Sequence, residues 1–310
     1  MKPLIILTGP TAVGKTDLSI KLAKKINGEI ISADSVQVYK KLNIGSAKIT
    51  KEEMQGIPHY LIDVLEPDMD FNVYTFKELS LKAIENIYDN NHIPIIAGGT
   101  GFYIQSVLYD INFAENNDDG IRKKYEDIFA EKGVDYLYEL LKKADPEYAS
   151  TLHKNNVKRV IRALEFYEQT GKKISEHNKE ESERNSPFDF KYFVLNDDRK
   201  ILYERIDKRV DIMVENGLFD EVNSLKASGI SRDCISMQGI GYKEVYSFLD
   251  GEITKEEAID QIKKNTRHFA KRQLTWFRRE KETIFINKQD FNYDEDRILE
   301  HILNIIKDII

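Results

Sequence analysis

Cysteine is nearly absent from this chain of 310 residues: Cys234 stands alone. A single thiol excludes an intramolecular disulfide and fits a reducing cytoplasm, which is the expected location. Long hydrophobic runs are missing too. No apolar stretch approaches the ~18 residues of a membrane span, so no membrane association is expected. The N-terminal apolar run breaks at Gly9-Pro10 and lacks a cleavage site, which sets aside a signal peptide. Metal-ligand patterns are lacking: the six histidines are scattered, with no C-x-x-C or H-E-x-x-H. There is no internal repeat and no low-complexity linker. Nor is there an excess of positive charge. The net charge is −7, which taken alone argues against nucleic acid. Its distribution is uneven, however, and local clusters matter more than the sum.

What is present starts at Pro3. Residues 9 to 16, GPTAVGKT, fill every fixed position of the phosphate-binding pattern G-x-x-x-x-G-K-[ST]. Pro3 to Leu7 reads as a buried parallel strand, and Asp17 to Ile26 as a helix with Leu18, Leu22, Ala23 and Ile26 on one face. Gly9 and Gly14 let the backbone wrap closely around a phosphate. Loop N–H groups and the helix N-terminus face the anion, and Lys15 adds a point charge. The Thr16 hydroxyl is the expected magnesium ligand. A nucleoside triphosphate is the default occupant, as in ATP-binding proteins, but any diphosphate suits the same cradle.

The β/α rhythm continues through Glu29–Asp34, His59–Val64, a helix over Val73–Tyr88, and Pro94–Ala97 followed by Gly98-Gly99-Thr100-Gly101. Polar residues at the carboxyl ends of parallel strands face ligands in open α/β sheets, which makes Asp34 and Thr100 candidates. Capping of a turn is the competing reading for Asp34. Asp63 either holds magnesium at a strand end or is structural. From about residue 113 the rhythm stops. Ala114 to Gly120 is polar and acidic, and helical patterns then follow to about residue 182. This predicts an α/β core over 1–113 and 190–310 with a helical insertion over 114–189.

Basic residues gather at Lys158, Arg159 and Arg162, at the start of a helix where the dipole disfavours cations; a phosphate-bearing partner or a solvated face would account for them. Arg205 and Arg209 share a helix face from which either could close over phosphates. A long helical stretch from Lys255 to Arg279, one helix or a pair, interleaves Lys263, Lys264, Arg267, Lys271, Arg272, Arg278 and Arg279 with His268, Phe269, Trp276 and Phe277, a pattern suited to a nucleic-acid backbone plus stacking.

In order along the chain, GPTAVGKT, SADSVQVYKKLNIGSAK, PHYLIDV, IAGGTGFYI, KRVIRALE, GIGYKE and KRQLTWFR resemble the bacterial tRNA dimethylallyltransferases, or tRNA isopentenyltransferases. The resemblance implies a P-loop NTPase-like parallel sheet core with an inserted all-helical domain. It implies transfer of a dimethylallyl group from dimethylallyl diphosphate to the exocyclic amine of the adenosine 3′-adjacent to the anticodon, in tRNAs reading codons beginning with U. Diphosphate leaves. By position, Asp34 would be the general base on the amine, and Thr100 would contact the amine or the departing oxygen. Gly9, Pro10, Thr11, Ala12, Val13, Gly14, Lys15, Thr16 and Arg209 would hold the diphosphate, with magnesium on Thr16. The tRNA anticodon stem-loop would meet Asp34, Ser35, Val36, Gln37, Thr100 and Arg122; Lys158, Arg159, Val160, Ile161 and Arg162; Gly239, Ile240, Gly241, Tyr242, Lys243 and Glu244; and Arg267, Lys271, Arg272 and Gln273. A monomer is expected. The rival readings are a P-loop small-molecule kinase, an adenylate isopentenyltransferase acting on free nucleotides, and a tRNA-binding module without catalysis.

Overall fold

The structure, a computed structural model, describes residues 1–113 and 120–310. It divides into two compact units, Met1–Leu108 with Pro187–Ile310, and Tyr109–Ser186. The acidic stretch expected to open the insertion lies, from Ala114 to residue 119, outside the described residues.

The first unit is built on one six-stranded, wholly parallel sheet in the order β3-β2-β4-β1-β5-β6. The strands are β1 (Lys2–Thr8), β2 (Gly28–Ala33), β3 (His59–Tyr60), β4 (Ile93–Gly98), β5 (Phe188–Asn196) and β6 (Thr283–Asn287). Leu4 to Leu7 are completely buried because helices cover both faces of a parallel sheet. Helix α1 (Lys15–Ile26) places Leu18, Leu22, Ala23 and Ile26 in the main core, as the spacing predicts. The helices that follow are α2 (Lys51–Met54), α3 (Val73–Asp89) and α4 (Gly101–Leu108).

The second unit holds α5 (Ile121–Ala144), α6 (Pro146–Thr151), α7 (Val157–Thr170) and α8 (Ile174–Ser182). Two helical patterns read in the sequence are joined within α5 at Gly133, whose φ of 78° and ψ of 177° break the helix. Leu137, Leu141, Val160, Ile161 and Leu164 form a core of their own. Asp145 is 1 % exposed; it caps α6 at Tyr148 N and accepts from the backbone and hydroxyl of Ser175, tying α6 to α8.

Back in the first unit come α9 (Arg199–Glu215), α10 (Leu218–Ala227), α11 (Tyr242–Leu249), α12 (Lys255–Phe277) and α13 (Glu295–Ile306). The stretch from Lys255 is one continuous helix, opened by a capping box between Thr254 and Glu257. Apolar Ile298, Leu299, Ile302 and Ile306 of α13 join the same core as α1.

One expected strand is cut short. The run His59–Val64 pairs with β2 only through His59 and Tyr60. Leu61 and Asp63 then adopt positive φ, 62° and 55°, and lead the chain off the sheet. Val64 N and Leu65 N bond to Val38 O instead, following the loop after β2. Asp63 is held by Lys48 Nζ at 2.5 Å, and that ammonium also donates to Tyr39 O at 2.6 Å. The structural reading of Asp63 is the one this geometry supports.

Candidate active site

β1, β4 and β2 are neighbours in the sheet, so the loops that follow them lie side by side at its carboxyl end, the place where open α/β sheets bind ligands. The loop from Gly9 to Gly14 leaves β1 and enters α1, with Gly14 at φ 96° as its N-cap residue, a conformation that favours glycine. Lys15 folds back on this loop, donating to Gly9 O at 3.0 Å and Pro10 O at 2.8 Å. Burial lowers its pKa to about 7; the Arg209 cation pushes the same way and Asp34 opposes both. The Thr16 hydroxyl is exposed, with no hydrogen-bond partner among the described residues.

Asp34 follows β2. Its Oδ1 accepts from Val36 N at 2.8 Å and Gln37 N at 3.2 Å. The capping role foreseen as the alternative is therefore real, but it occupies one oxygen. Oδ2 has no hydrogen-bond partner among the described residues and remains able to accept a proton. Arg209 separates from Arg205 here. Arg205 is taken by the buried Asp197 at 2.6 Å. Arg209 is desolvated, which lowers its pKa, and feels the opposing charges of Asp34 and Glu53. Lys15, Asp34 and Arg209 thus form one electrostatic group. Thr100 sits in the turn after β4, where Gly99 N and Thr100 N both donate to Ala33 O at 3.2 Å, binding the two strand ends together.

The loop of Ser35, Val36 and Gln37 meets the turn at Gly239: a Cβ there would stand 3.3 Å from Val36 Cγ2. Glu221 of α10 holds the neighbouring loop, accepting from Asn43, Ile44 and Gly45 N and from the Tyr242 hydroxyl. Several expected RNA contacts lie inside the protein. The Tyr242 side chain is 0 % exposed and bonded to Glu221, and Glu244 is 3 % exposed, capping Gly241 N and accepting from Asn265. Ile240 and Gly241 shape the turn, and Lys243 is exposed. Arg267 is paired with Asp207 of α9, which fastens α12 to α9. Gln273 is 6 % exposed and bonds to two loops of the crevice. Lys271 and Arg272 are exposed and free of ion pairs among the described residues. Together with Trp276 and Arg279 they line a groove of about 410 Å³.

In the helical unit, Val160 and Ile161 belong to its core. Lys158 and Arg159 are exposed at the start of α7, without ion pairs among the described residues. Arg122 and Arg162 flank Glu165, at 3.4 and 3.2 Å.

Three features had no local sequence signal. They are the Glu221 brace, the Gln273 bridge, and Lys288, a nearly buried ammonium that reaches Val13 O at 3.4 Å. Each joins segments far apart in the chain.

No group of three or more His, Cys, Asp or Glu side chains that could hold a metal occurs among the described residues. The Thr16 hydroxyl beside the phosphate loop, without a partner among the described residues, suits a magnesium ion bound mainly by substrate phosphate oxygens and water.

Fold and crevice together define a P-loop protein whose phosphate cradle faces a carboxylate and a second glycine turn. The chain belongs to the IPP transferase family, whose model matches residues 37–280. It is 55% identical over 303 residues to a tRNA dimethylallyltransferase of Lachnoclostridium phytofermentans, covering 97% of both chains. It is also similar to three solved structures. The tRNA isopentenylpyrophosphate transferase of Bacillus halodurans matches at 43% identity and TM-score 0.75, over 100% of this chain and 98% of that one. A eukaryotic dimethylallyltransferase acting on tRNA superposes with TM-score 0.80 at 32% identity, over 93% of this chain and 74% of its own. The Staphylococcus epidermidis tRNA delta(2)-isopentenylpyrophosphate transferase matches at 43% identity and TM-score 0.74, over 99% of this chain and 100% of that one.

Proposed function

We propose that this chain is a tRNA dimethylallyltransferase. It moves the dimethylallyl group of dimethylallyl diphosphate to the exocyclic amine of the adenosine 3′ of the anticodon, in tRNAs reading codons that begin with U, and releases diphosphate. The observation that carries the reading is the pairing, in one crevice, of a phosphate cradle with a carboxylate that keeps one oxygen free. A kinase needs the cradle, but not the exposed basic and aromatic groove on α12.

The residues divide the chemistry between them. An aryl amine is a weak nucleophile, while an allylic diphosphate ionises readily, so alignment and charge neutralisation dominate. The P-loop amides, Lys15 and Arg209 bind the diphosphate and stabilise the charge that develops on its leaving oxygen. Thr16 would hold magnesium, which when bound screens the diphosphate charge. Thr100 orients the amine, and the free Asp34 oxygen takes its proton. The adenine has to leave the stacked anticodon loop to reach this crevice. RNA is held by the exposed Lys271 and Arg272, by Ser35–Gln37 with Lys243, and by Arg122, Lys158, Arg159 and Arg162 of the helical unit. The backbone cations dominate this binding despite the acidic total charge. The protein acts as a monomer in the cytoplasm, where its tRNA substrates are.

Incubation with labelled dimethylallyl diphosphate, magnesium and unmodified tRNA, and in parallel with AMP, tests the reading. Label should enter tRNA and leave AMP untouched. Label in AMP alone would replace the RNA by a free nucleotide, and ATP consumption without any labelling would favour a kinase.

A further inference from the structure

The inner face of α12 grips the turn that carries Thr100. Gln273 and Trp276 lie three residues apart on that face. The Gln273 amide donates from Nε2 to Gly99 O at 2.9 Å, and its Oε1 accepts from Thr11 N at 2.9 Å. Both assignments are forced, because a backbone N–H can only donate and a carbonyl can only accept. One nearly buried side chain therefore bridges the P-loop and the second glycine turn. The fit leaves no room for a larger residue on either side of Thr100. A Cβ on Gly99 would lie 2.2 Å from Gln273 Nε2, and one on Gly101 would lie 2.2 Å from Trp276 Cδ1. On the outer side of the same helix, Lys271 and Arg272 are exposed.

We propose that Gln273 is a positioning residue for the transfer reaction. Its side chain holds the diphosphate loop and the Thr100 turn at a fixed separation, so that the allylic carbon and the amine meet in line. This rests on the reading that the P-loop holds the diphosphate and Thr100 faces the amine. The Thr11 N–H is committed to the bridge, so that amide sets the shape of the loop while its neighbours face the phosphates. Gln273 itself touches neither substrate, in contrast to the RNA contact expected from its place in the sequence. A carboxylate of the same shape would keep the bond from Thr11 N and lose the one to Gly99 O, leaving two oxygens opposed.

Gln273→Glu and Gln273→Ala test this with the full-length protein, by separate measurement of kcat, KM for tRNA, and retention of an anticodon stem-loop. Both variants should lose about 10- to 100-fold in kcat, the scale of a reactant misplaced by about 1 Å. KM for tRNA and stem-loop affinity should stay within about two-fold of the parent. Gly99→Ala should give a similar loss by displacing the amide, and adding Gln273→Ala should lower the rate no further, because the two residues act as one unit. The proposal is overturned if both Gln273 variants keep their kcat while stem-loop affinity falls, or if the Gly99 and Gln273 losses multiply. Lys15→Met separates this from the underlying reading. If Lys15→Met transfers normally, the diphosphate site is misplaced; if it is inactive while both Gln273 variants turn over normally, the bridge alone is refuted.

Discussion

The chemistry assigned to single residues turns on which of their atoms are already engaged. Asp34 bonds to the chain with one oxygen and keeps the other. Asp34→Asn preserves that turn while removing the base. Its kcat should fall about 10²- to 10⁴-fold with stem-loop binding unchanged; a normal rate would remove Asp34 from proton transfer. Lys15 gives a pH signature. Its pKa of about 7 is depressed by burial and by Arg209, so above that pH the Lys15 side chain is mostly the neutral amine. A bound diphosphate restores the charge, and binding at pH 8 should therefore take up a proton at Lys15. Well below pH 7 that group is already charged and takes up none. Calorimetry with inorganic diphosphate in buffers of different ionisation enthalpy measures the uptake. Lys15→Met should lower it by a substantial fraction of a proton at pH 8; equal uptake in both proteins would contradict the assignment.

At the scale of elements, α12 has two differently built sides. Lys263 and Arg267 are bonded to Asp211 and Asp207 of α9, while Lys271 and Arg272 make no ion pair among the described residues. Arg272→Ala should weaken tRNA binding and reduce the slope of log K against log salt by about 0.7 to 1, leaving diphosphate affinity unchanged. Arg267→Ala, by contrast, should lower thermal stability more than it lowers the salt slope. The sequence made the basic character of this helix plain but not the division of its cations, because a periodic pattern does not show which acidic residues of another helix will face it. The strand–loop–helix at residues 2–26 was legible for the opposite reason: loop, glycines and buried stripe are contiguous, and the motif states its own geometry. His59–Val64 misled because its apolar alternation is satisfied twice, by β2 for two residues and by the loop after β2 for the rest. Tyr242, Glu244, Val160 and Ile161 sit in segments that resemble RNA contacts, yet their side chains serve the interior.

For the molecule as a whole, the P-loop ties together segments from both ends of the chain. Thr11 meets Gln273, Val13 meets Lys288, and Gly9 packs on Leu195. None of these pairings could be read locally, whereas the alternation of strands and helices revealed the sheet. The P-loop, Asp34 and Thr100 follow the carboxyl ends of three neighbouring strands, and in the proposed function a phosphate cradle there serves alkyl transfer to RNA. Removing magnesium with EDTA should stop transfer while leaving stem-loop retention nearly intact, because the proposed function has the ion bind with the diphosphate and not at the RNA surface. The most direct test is to digest the product tRNA to oligonucleotides and locate the added mass by mass spectrometry. One dimethylallyl group is expected, on the amine of the adenosine 3′ of the anticodon. An unmodified adenosine at that position, with the added mass on another nucleotide or on none, would contradict it.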